Sequence, residues 1–165
     1  MSASTNSTRD RILNLLNENQ ARYQQMSHEA LGFTSDEVAR VRNVELGQCS
    51  KAAILKIKGN GVRKYVLAVL PGDRKINTDK LSSLYGGKKA SFASAGEVLE
   101  LTSCVPGALA PFSFNEELAL VVDPSIFERY SEIAFNAGTL TETIVLNVDD
   151  YRRIVKPKEY SLIQD

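Results

Sequence analysis

Residues 51–70, KAAILKIKGNGVRKYVLAVL, contain two runs of strand-forming residues separated by Gly59-Asn60-Gly61. An Asn-Gly step is typical of a tight hairpin turn, because both residue types tolerate positive φ angles. The second run, residues 65–70, is apolar at every position, so other elements are expected to cover both of its faces. The segment therefore predicts a central antiparallel hairpin.

Helical and extended patterns alternate along the rest of the chain. Ser7 or Thr8 is placed to cap an apolar helical repeat that runs to about Asn19, and residues 21–28 are predicted to be extended. Residues 34–41 carry a capping-box pattern and predict a short second helix. Helices are also predicted over residues 78–84, 94–101 and 148–155, and strands over residues 88–92, 118–122, 132–135 and 143–146. The mixture predicts an α+β fold with a mixed sheet.

The length of 165 residues predicts a single domain, residues 1–165, in which the polar residues 1–7 are disordered. Twenty basic and twenty acidic residues cancel, so any contact with RNA needs a local basic group. The N-terminus lacks the apolar run of a signal peptide, and the longest apolar stretch is too short to span a bilayer. We therefore expect a cytoplasmic protein without a membrane or DNA partner.

Lys51 is the charged residue on an otherwise apolar face of the first hairpin strand. Alternation along the strand puts it on the same side as three apolar residues, Ala53, Leu55 and Ile57. A lysine at this position either packs its stem at the strand end with its ammonium in water, or lines a substrate pocket. The pattern leaves both interpretations open.

Residues 102–111, TSCVPGALAP, hold two prolines, a glycine and small side chains. Such a segment presents backbone N–H and C=O groups to a ligand with little steric hindrance, but it is equally typical of a connection with fixed bends. Residues 105–111 form the candidate binding loop, although a Gly-x-x-x-Pro pattern alone is weak evidence.

His28 is the only imidazole and is suited to orienting or protonating a substrate group, although a surface histidine has the same pattern. With Cys104 it would form a nucleophile and base, but an isolated cysteine among small residues is typical of a buried side chain. Asn136-Ala137-Gly138 is either a simple turn or places an amide at the site. Two cysteines and one histidine offer neither a disulfide scaffold nor zinc ligands of the usual spacing, so we expect no metal and no cofactor.

Basic residues cluster in three places, namely residues 56–64, Lys88-Lys89 and residues 152–158. Such charges usually form a solvated face, but a group near Lys51 would be suited to RNA phosphates.

Several motifs occur together in a recognisable order. They are His28-Glu29-Ala30, Leu46-Gly47-Gln48, Ser50-Lys51-Ala52, the run from Val105 to Pro111, Phe112-Ser113-Phe114, Asp123-Pro124 and Phe135-Asn136-Ala137-Gly138. With them the chain, over almost its whole length, resembles the YbaK-like family, in particular its YeaK-type branch. These proteins are free-standing relatives of the editing domain inserted in bacterial prolyl-tRNA synthetases.

The resemblance implies an α+β fold around a curved, mixed, largely antiparallel sheet with surrounding helices. It also implies an aminoacyl-tRNA deacylase, which hydrolyses the ester between a mistaken amino acid and tRNA with help from the substrate's own 2′-hydroxyl. The family lysine falls on Lys51 and the family Gly-x-x-x-Pro loop on Gly107 to Pro111, which gives Lys51 and Gly107 catalytic roles. We expect the remaining candidates to bind substrate: His28, Val105, Pro106, Ala108, Pro111, Asn136 and Gly138. The expected partners are mischarged tRNA and, as a candidate, an aminoacyl-tRNA synthetase.

The residue after the lysine departs from two family patterns. Relatives that clear alanyl-tRNA for proline carry Asn there and cysteine-removing relatives carry Thr, whereas this chain has Ala52. The difference indicates another preference among small amino acids, namely serine, threonine or alanine. A noncatalytic tRNA-binding or synthetase-associated module is the alternative, and the retention of Lys51, Gly107 and Pro111 argues against it.

Overall fold

A computed structural model describes residues 7–29, 39–40 and 44–165. Within these ranges helices alternate with strands that form an antiparallel sheet and a mixed sheet, which confirms the predicted α+β class. The helix predicted from the capping-box pattern of residues 34–41 lies largely outside the described residues.

The predicted hairpin forms the centre of the larger sheet. Strands β2 (Ser50–Gly59) and β3 (Val62–Pro71) pair antiparallel over their whole length, from Ser50 opposite Pro71 to Gly59 opposite Val62. The turn adopts positive φ at Gly59, Asn60 and Gly61, as the sequence predicts. Residues 66–70 of β3 are buried, which confirms that both faces of this strand are covered.

Three further strands complete this sheet in the order β4-β2-β3-β5-β8. Strand β4 (Lys89–Phe92) is antiparallel to β2, whereas β5 (Leu118–Val122) is parallel to β3 and β8 (Lys158–Glu159) is parallel to β5. The sheet is therefore mixed.

The second sheet is antiparallel, in the order β1-β7-β6. It consists of β1 (Tyr23–Ser27), β6 (Glu132–Asn136) and β7 (Glu142–Asn147). A single parallel backbone bridge between Cys49 and Ala134 joins the start of β2 to β6. The two sheets therefore meet next to Lys51.

Helices surround the sheets and begin at the caps that the sequence supplies. They are α1 (Thr8–Glu18), α2 (Thr78–Leu84), α3 (Ala95–Thr102), α4 (Ile126–Arg129) and α5 (Val148–Val155). Ser7 caps α1, and Ser94 with Glu97 forms the predicted capping box of α3. The sequence did not predict α4 or β8, because segments of four and two residues are too short to show a period.

Each face of the sheets is covered by a separate group of buried side chains. Helices α1 and α5 pack over the smaller sheet in a cluster that includes Leu16, Phe135 and Tyr151. On the larger sheet, α2 covers the face that carries Leu55 and Ile57, and α3 covers the opposite face. The alternation predicted for β2 is therefore confirmed.

Tyr151 ties this core to the candidate binding loop. Its ring is fully buried, and its hydroxyl donates a hydrogen bond of 2.6 Å to the carbonyl oxygen of Pro111. A buried hydroxyl needs such a partner, so the core fixes the end of the loop in place.

Candidate active site

Lys51 lies at the start of β2, one pair in from the end of the β2–β3 ladder. Its side chain is exposed, yet the surrounding protein partly desolvates the ammonium and holds the pKa of Lys51 below its ordinary value. The carboxylate of Asp73 raises this pKa, and the ammonium of Lys75 lowers it. Lys51 is therefore a cation whose ammonium is partly removed from water, and its pKa is lower than that of a fully solvated lysine.

The carboxylate of Asp73 is itself occupied by Arg129. The two guanidinium nitrogens of Arg129 each donate a 2.7 Å hydrogen bond to a different oxygen of Asp73, and this pairing holds the pKa of Asp73 below its usual range. A Cβ at Gly47 would lie 2.5 Å from Nη2 of Arg129, so the backbone closes over the pair. Asp73 thus supplies a fixed negative charge near Lys51 while its own hydrogen bonds go to Arg129. Nothing in the sequence pattern connects these residues.

The candidate binding loop contains a short 3₁₀ turn, Pro106–Ala108. Gly107 and Val105 are exposed at the surface, whereas residues 108–111 are buried. The side-chain amide of Asn136 donates a 2.6 Å hydrogen bond to the carbonyl oxygen of Gly107. This loop is therefore held at Gly107 by β6 and at Pro111 by Tyr151, and its exposed residues, Val105 and Gly107, lie before and at the first of these two anchors.

Thr143 connects His28 to the strand that carries Asn136. Asn136 lies opposite Thr143 in the β6–β7 ladder, and the fully buried Thr143 has its Oγ1 2.8 Å from Nε2 of His28. Nδ1 of His28 lies 2.8 Å from the carbonyl oxygen of Glu29, which is only an acceptor. In the neutral ring Nδ1 therefore carries the proton and Nε2 accepts from Thr143. The sequence pattern identified Thr143 only as a strand residue.

Lys51 and Asn136 approach the same region from different sheets. Each lies two residues beyond the Cys49–Ala134 bridge, on strands that leave this bridge in the same direction. Two residues is one full period of a strand, so each side chain points to the same side as that of its bridge residue. The structure thus brings Lys51, Asn136 and Gly107 to the junction of the sheets, with His28 linked to them through Thr143.

Gly138 and Cys104 lie behind this junction, against α1. Gly138 has a φ of +83°, and a Cβ there would lie 3.1 Å from the Cβ of Thr8. The Sγ of Cys104 is buried, 3.4 Å from Oγ1 of Thr8 and 3.8 Å from the carbonyl oxygen of Gly138. These close contacts explain why positions 104 and 138 carry small residues. They do not support Cys104 as a nucleophile with His28 as its base, since each side chain is engaged elsewhere.

The part of the chain that the structure describes contains no group of three or more His, Cys, Asp or Glu side chains suited to a metal ion. No helix in those residues is long and apolar enough to cross a membrane.

Comparison with known proteins gives consistent matches. The model of the aminoacyl-tRNA editing domain family matches residues 29–154. The multifunctional Ser/Thr-tRNA deacylase ProXp-y of Escherichia coli (strain K12) is 46% identical over 151 residues, which cover 92% of this chain and 90% of that protein. A proline–tRNA ligase of Bacillus cereus (strain AH820) is 30% identical over 91 residues, 55% of this chain and 15% of the ligase.

A solved structure supports the fold independently. The crystal structure of a protein proposed to be a trans-editing enzyme for prolyl-tRNA synthetase superposes with a TM-score of 0.78 at 20% identity. The superposition covers 100% of this chain and 99% of that one. At this identity the likeness concerns the fold.

The two charges next to Lys51 predict opposite shifts of its pKa. Asp73→Asn removes a charge that stabilises the ammonium, so the pKa of Lys51 should fall, whereas Lys75→Gln removes a repelling charge and should raise it. Lys75→Arg keeps the charge and serves as the control. NMR titration of the Lys51 side chain measures all three, and shifts of the same sign in Asp73→Asn and Lys75→Gln would contradict this electrostatic account.

Proposed function

Because the chain belongs to the aminoacyl-tRNA editing domain family, we propose that it is a trans-editing hydrolase that deacylates mischarged tRNA carrying serine, threonine or alanine. The observation that carries the proposal is the 46% identity, over nearly the full length of both chains, to a Ser/Thr-tRNA deacylase. The match to a segment of a proline–tRNA ligase supports an aminoacyl-tRNA synthetase as a candidate partner. The cytoplasm, where tRNA is charged, is the proposed place of action.

The proposed reaction is hydrolysis of an ester. A water oxygen attacks the carbonyl carbon of the aminoacyl group, and the bond from that carbon to the ribose oxygen breaks. The products are the free amino acid and a tRNA whose terminal hydroxyl has regained a proton. Negative charge develops on the carbonyl oxygen as water attacks, so a fixed positive charge or N–H group close to that oxygen lowers the barrier.

Lys51 is the residue proposed to meet this charge, or the neighbouring phosphate of the terminal nucleotide. It is exposed at the junction of the sheets, and the nearby carboxylate of Asp73 is already occupied by Arg129. Among the described residues no side chain pairs with the ammonium, which is therefore available to hydrogen-bond a substrate. Partial desolvation strengthens its interaction with an anionic group.

The loop from Val105 to Pro111 is proposed to hold the aminoacyl group with its backbone. Anchoring at Gly107 and Pro111 fixes the loop before substrate arrives, so little conformational entropy is lost on binding. This fixed backbone is proposed to form one wall of the pocket and to leave it little depth, so only small side chains fit. We propose that this exclusion by size, and not a specific contact, selects the amino acid, because a pocket gains only about 1–3 kcal/mol of discrimination per methylene.

His28 is proposed to act on the substrate indirectly, by holding other groups of the site in position. Its Nε2 is engaged by Thr143, so its role is to orient the strand end that carries Asn136, while the 2′-hydroxyl of the substrate assists the attacking water. An aminoacyl ester is intrinsically reactive, and positioning with electrostatic stabilisation suffices for its hydrolysis. The noncatalytic alternative differs in one respect, since such a module would bind tRNA without turnover.

The proposal predicts a defined substrate range that depends on Lys51. Single-turnover deacylation of one tRNA charged with serine, threonine, alanine, leucine or phenylalanine should be fast only for the three small amino acids. Lys51→Ala should reduce the rate by about 10²–10³ without loss of fold, since truncation of an exposed lysine leaves no buried charge unpaired. Lys51→Arg, which keeps the charge in a planar group, should also lose activity. Equal cleavage of the leucyl ester, or a folded Lys51→Ala at wild-type rate, would contradict the proposal.

Two glycines near the loop provide a matched pair. The nearest described atom to a Cβ at Gly107 is Cδ2 of Leu140, at an ordinary 3.5 Å, so Gly107→Ala should change stability by less than about 0.5 kcal/mol. Its methyl group would project from the exposed part of the loop, and the deacylation rate should fall on the order of tenfold or more. Gly138→Ala should instead destabilise the protein by more than about 1 kcal/mol, because alanine is strained at positive φ. Melting curves with rate measurements test the pair, and a Gly107→Ala protein with full activity would exclude close approach of substrate at this point.

A further inference from the structure

Three cations lie side by side at the end of the larger sheet farthest from Lys51. Lys58 of β2 is directly opposite Arg63 of β3 on one side and Lys89 of β4 on the other. Directly opposed residues of antiparallel strands project to the same face, and all three residues are exposed. We call Arg63, Lys58 and Lys89 the cationic row, which spans about 10 Å across three strands.

The residues that the structure describes do not neutralise this row. Among the described residues none of its three members forms an ion pair, and the nearby Glu97 is engaged by Lys56 and by the hydroxyl of Tyr65. Hydrogen bonds from the Tyr65 hydroxyl, the backbone amide of Ser94 and Lys56, in that order of size, lower the pKa of Glu97 to about 2. By contrast, the basic group of α5 is paired, Arg152 with Glu159 and Arg153 with Asp150. Like charges directly opposite one another destabilise a sheet, so the row opposes folding unless an external anion binds it.

The row lies on the face of the larger sheet that α3 covers, and the candidate binding loop follows α3 in the chain. Lys56, two residues from Lys58 on the same face, contacts Glu97 in the first turn of α3, and the last turn of α3 leads into residues 103–111. The row and the loop are therefore near opposite ends of α3. Along β2, the seven residue steps from Lys51 to Lys58 span about 23 Å, and this odd number of steps puts the two side chains on opposite faces of the strand.

We propose that the cationic row binds backbone phosphates of tRNA in its acceptor stem while the aminoacylated end occupies the site at Lys51, an inference that rests on the proposed function. The amino acid of a tRNA is attached at the end of a short single-stranded tail, so the first paired phosphates lie a few nucleotides away from the ester. The row and the loop proposed to hold the aminoacyl group lie near opposite ends of α3 on the same face of the sheet, which suits that arrangement. Because the net charge of the chain is zero, a local unpaired group is the means by which it attracts a polyanion.

The test compares two triple variants that lose the same charge. Lys58→Gln/Arg63→Gln/Lys89→Gln removes the row, and Arg152→Gln/Arg153→Gln/Lys156→Gln removes three cations of the α5 region. Fluorescence anisotropy measures binding of uncharged tRNA between 50 and 200 mM salt. The row variant should bind on the order of tenfold more weakly at low salt, and its plot of log affinity against log salt should be shallower by about 2–3, at about 0.7–0.9 per lost phosphate contact. The control variant should bind like the wild type.

Two further measurements separate the row from the catalytic site and from folding. Hydrolysis of a seryl ester on a CCA trinucleotide, which has no stem, should proceed equally in the row variant and the wild type. The melting temperature of the row variant should not fall, because its like charges no longer repel one another. If the trinucleotide rate fell with the tRNA affinity, the row would be acting on the site and the proposal would be wrong.

Unchanged tRNA affinity and salt dependence in the row variant would overturn the proposal in favour of an acidic protein as the partner of the row. Equal weakening in the control variant would also overturn it, since net charge alone would then explain binding. Absence of hydrolysis by the wild-type protein would contradict the proposed function, while the binding comparison would still decide the role of the row.

Discussion

The site depends on the backbone bridge between Cys49 and Ala134, where the two sheets meet. Both residues are buried, and the carbonyl oxygen of Cys49 also accepts a 2.7 Å hydrogen bond from the amide of Gly72. A Cβ at Gly72 would lie 2.8 Å from the carbonyl oxygen of Leu46, so the close approach of these segments requires glycine. From this junction β2 leads to Lys51 and β6 leads to Asn136, so two residues 85 positions apart in sequence each lie two residues from the same bridge.

Rigidity at the junction is supplied by groups that hydrogen-bond to the candidate site residues or lie next to them. Asn136 fixes Gly107, Tyr151 fixes Pro111, and Arg129 fixes Asp73 next to Lys51. A site of this kind needs no charged nucleophile, because an aminoacyl ester already has a reactive carbonyl and requires chiefly orientation and a stabilised oxyanion. Under the proposal for the cationic row, RNA bound there and at the candidate loop would extend along α3.

Features encoded locally were predictable from the sequence, and features formed through space were not. The Gly59-Asn60-Gly61 turn, the Ser94–Glu97 capping box and the odd position of Lys51 follow from short-range patterns and agree with the structure. The pairing of Asp73 with Arg129 joins residues 56 positions apart, and no periodicity predicts it. Thr143 showed only the β-branched character of any strand residue, and the opposition of Lys58, Arg63 and Lys89 became visible only once the strand register was known. The family resemblance supplied the roles of the candidate residues, whereas the contacts supply the physical reasons for their positions.

The most direct test is a crystal structure with a non-hydrolysable analogue in which serine is linked to the 3′ position of adenosine 5′-monophosphate by an amide. We expect the seryl group to lie against the backbone at Gly107, with Nζ of Lys51 within hydrogen-bonding distance of its carbonyl oxygen or of the adjacent phosphate. An analogue bound elsewhere would contradict it, for example in the cavity of about 420 Å³ lined by Arg11, Thr102 and Phe114. So would an analogue at the sheet junction that leaves Lys51 without contact.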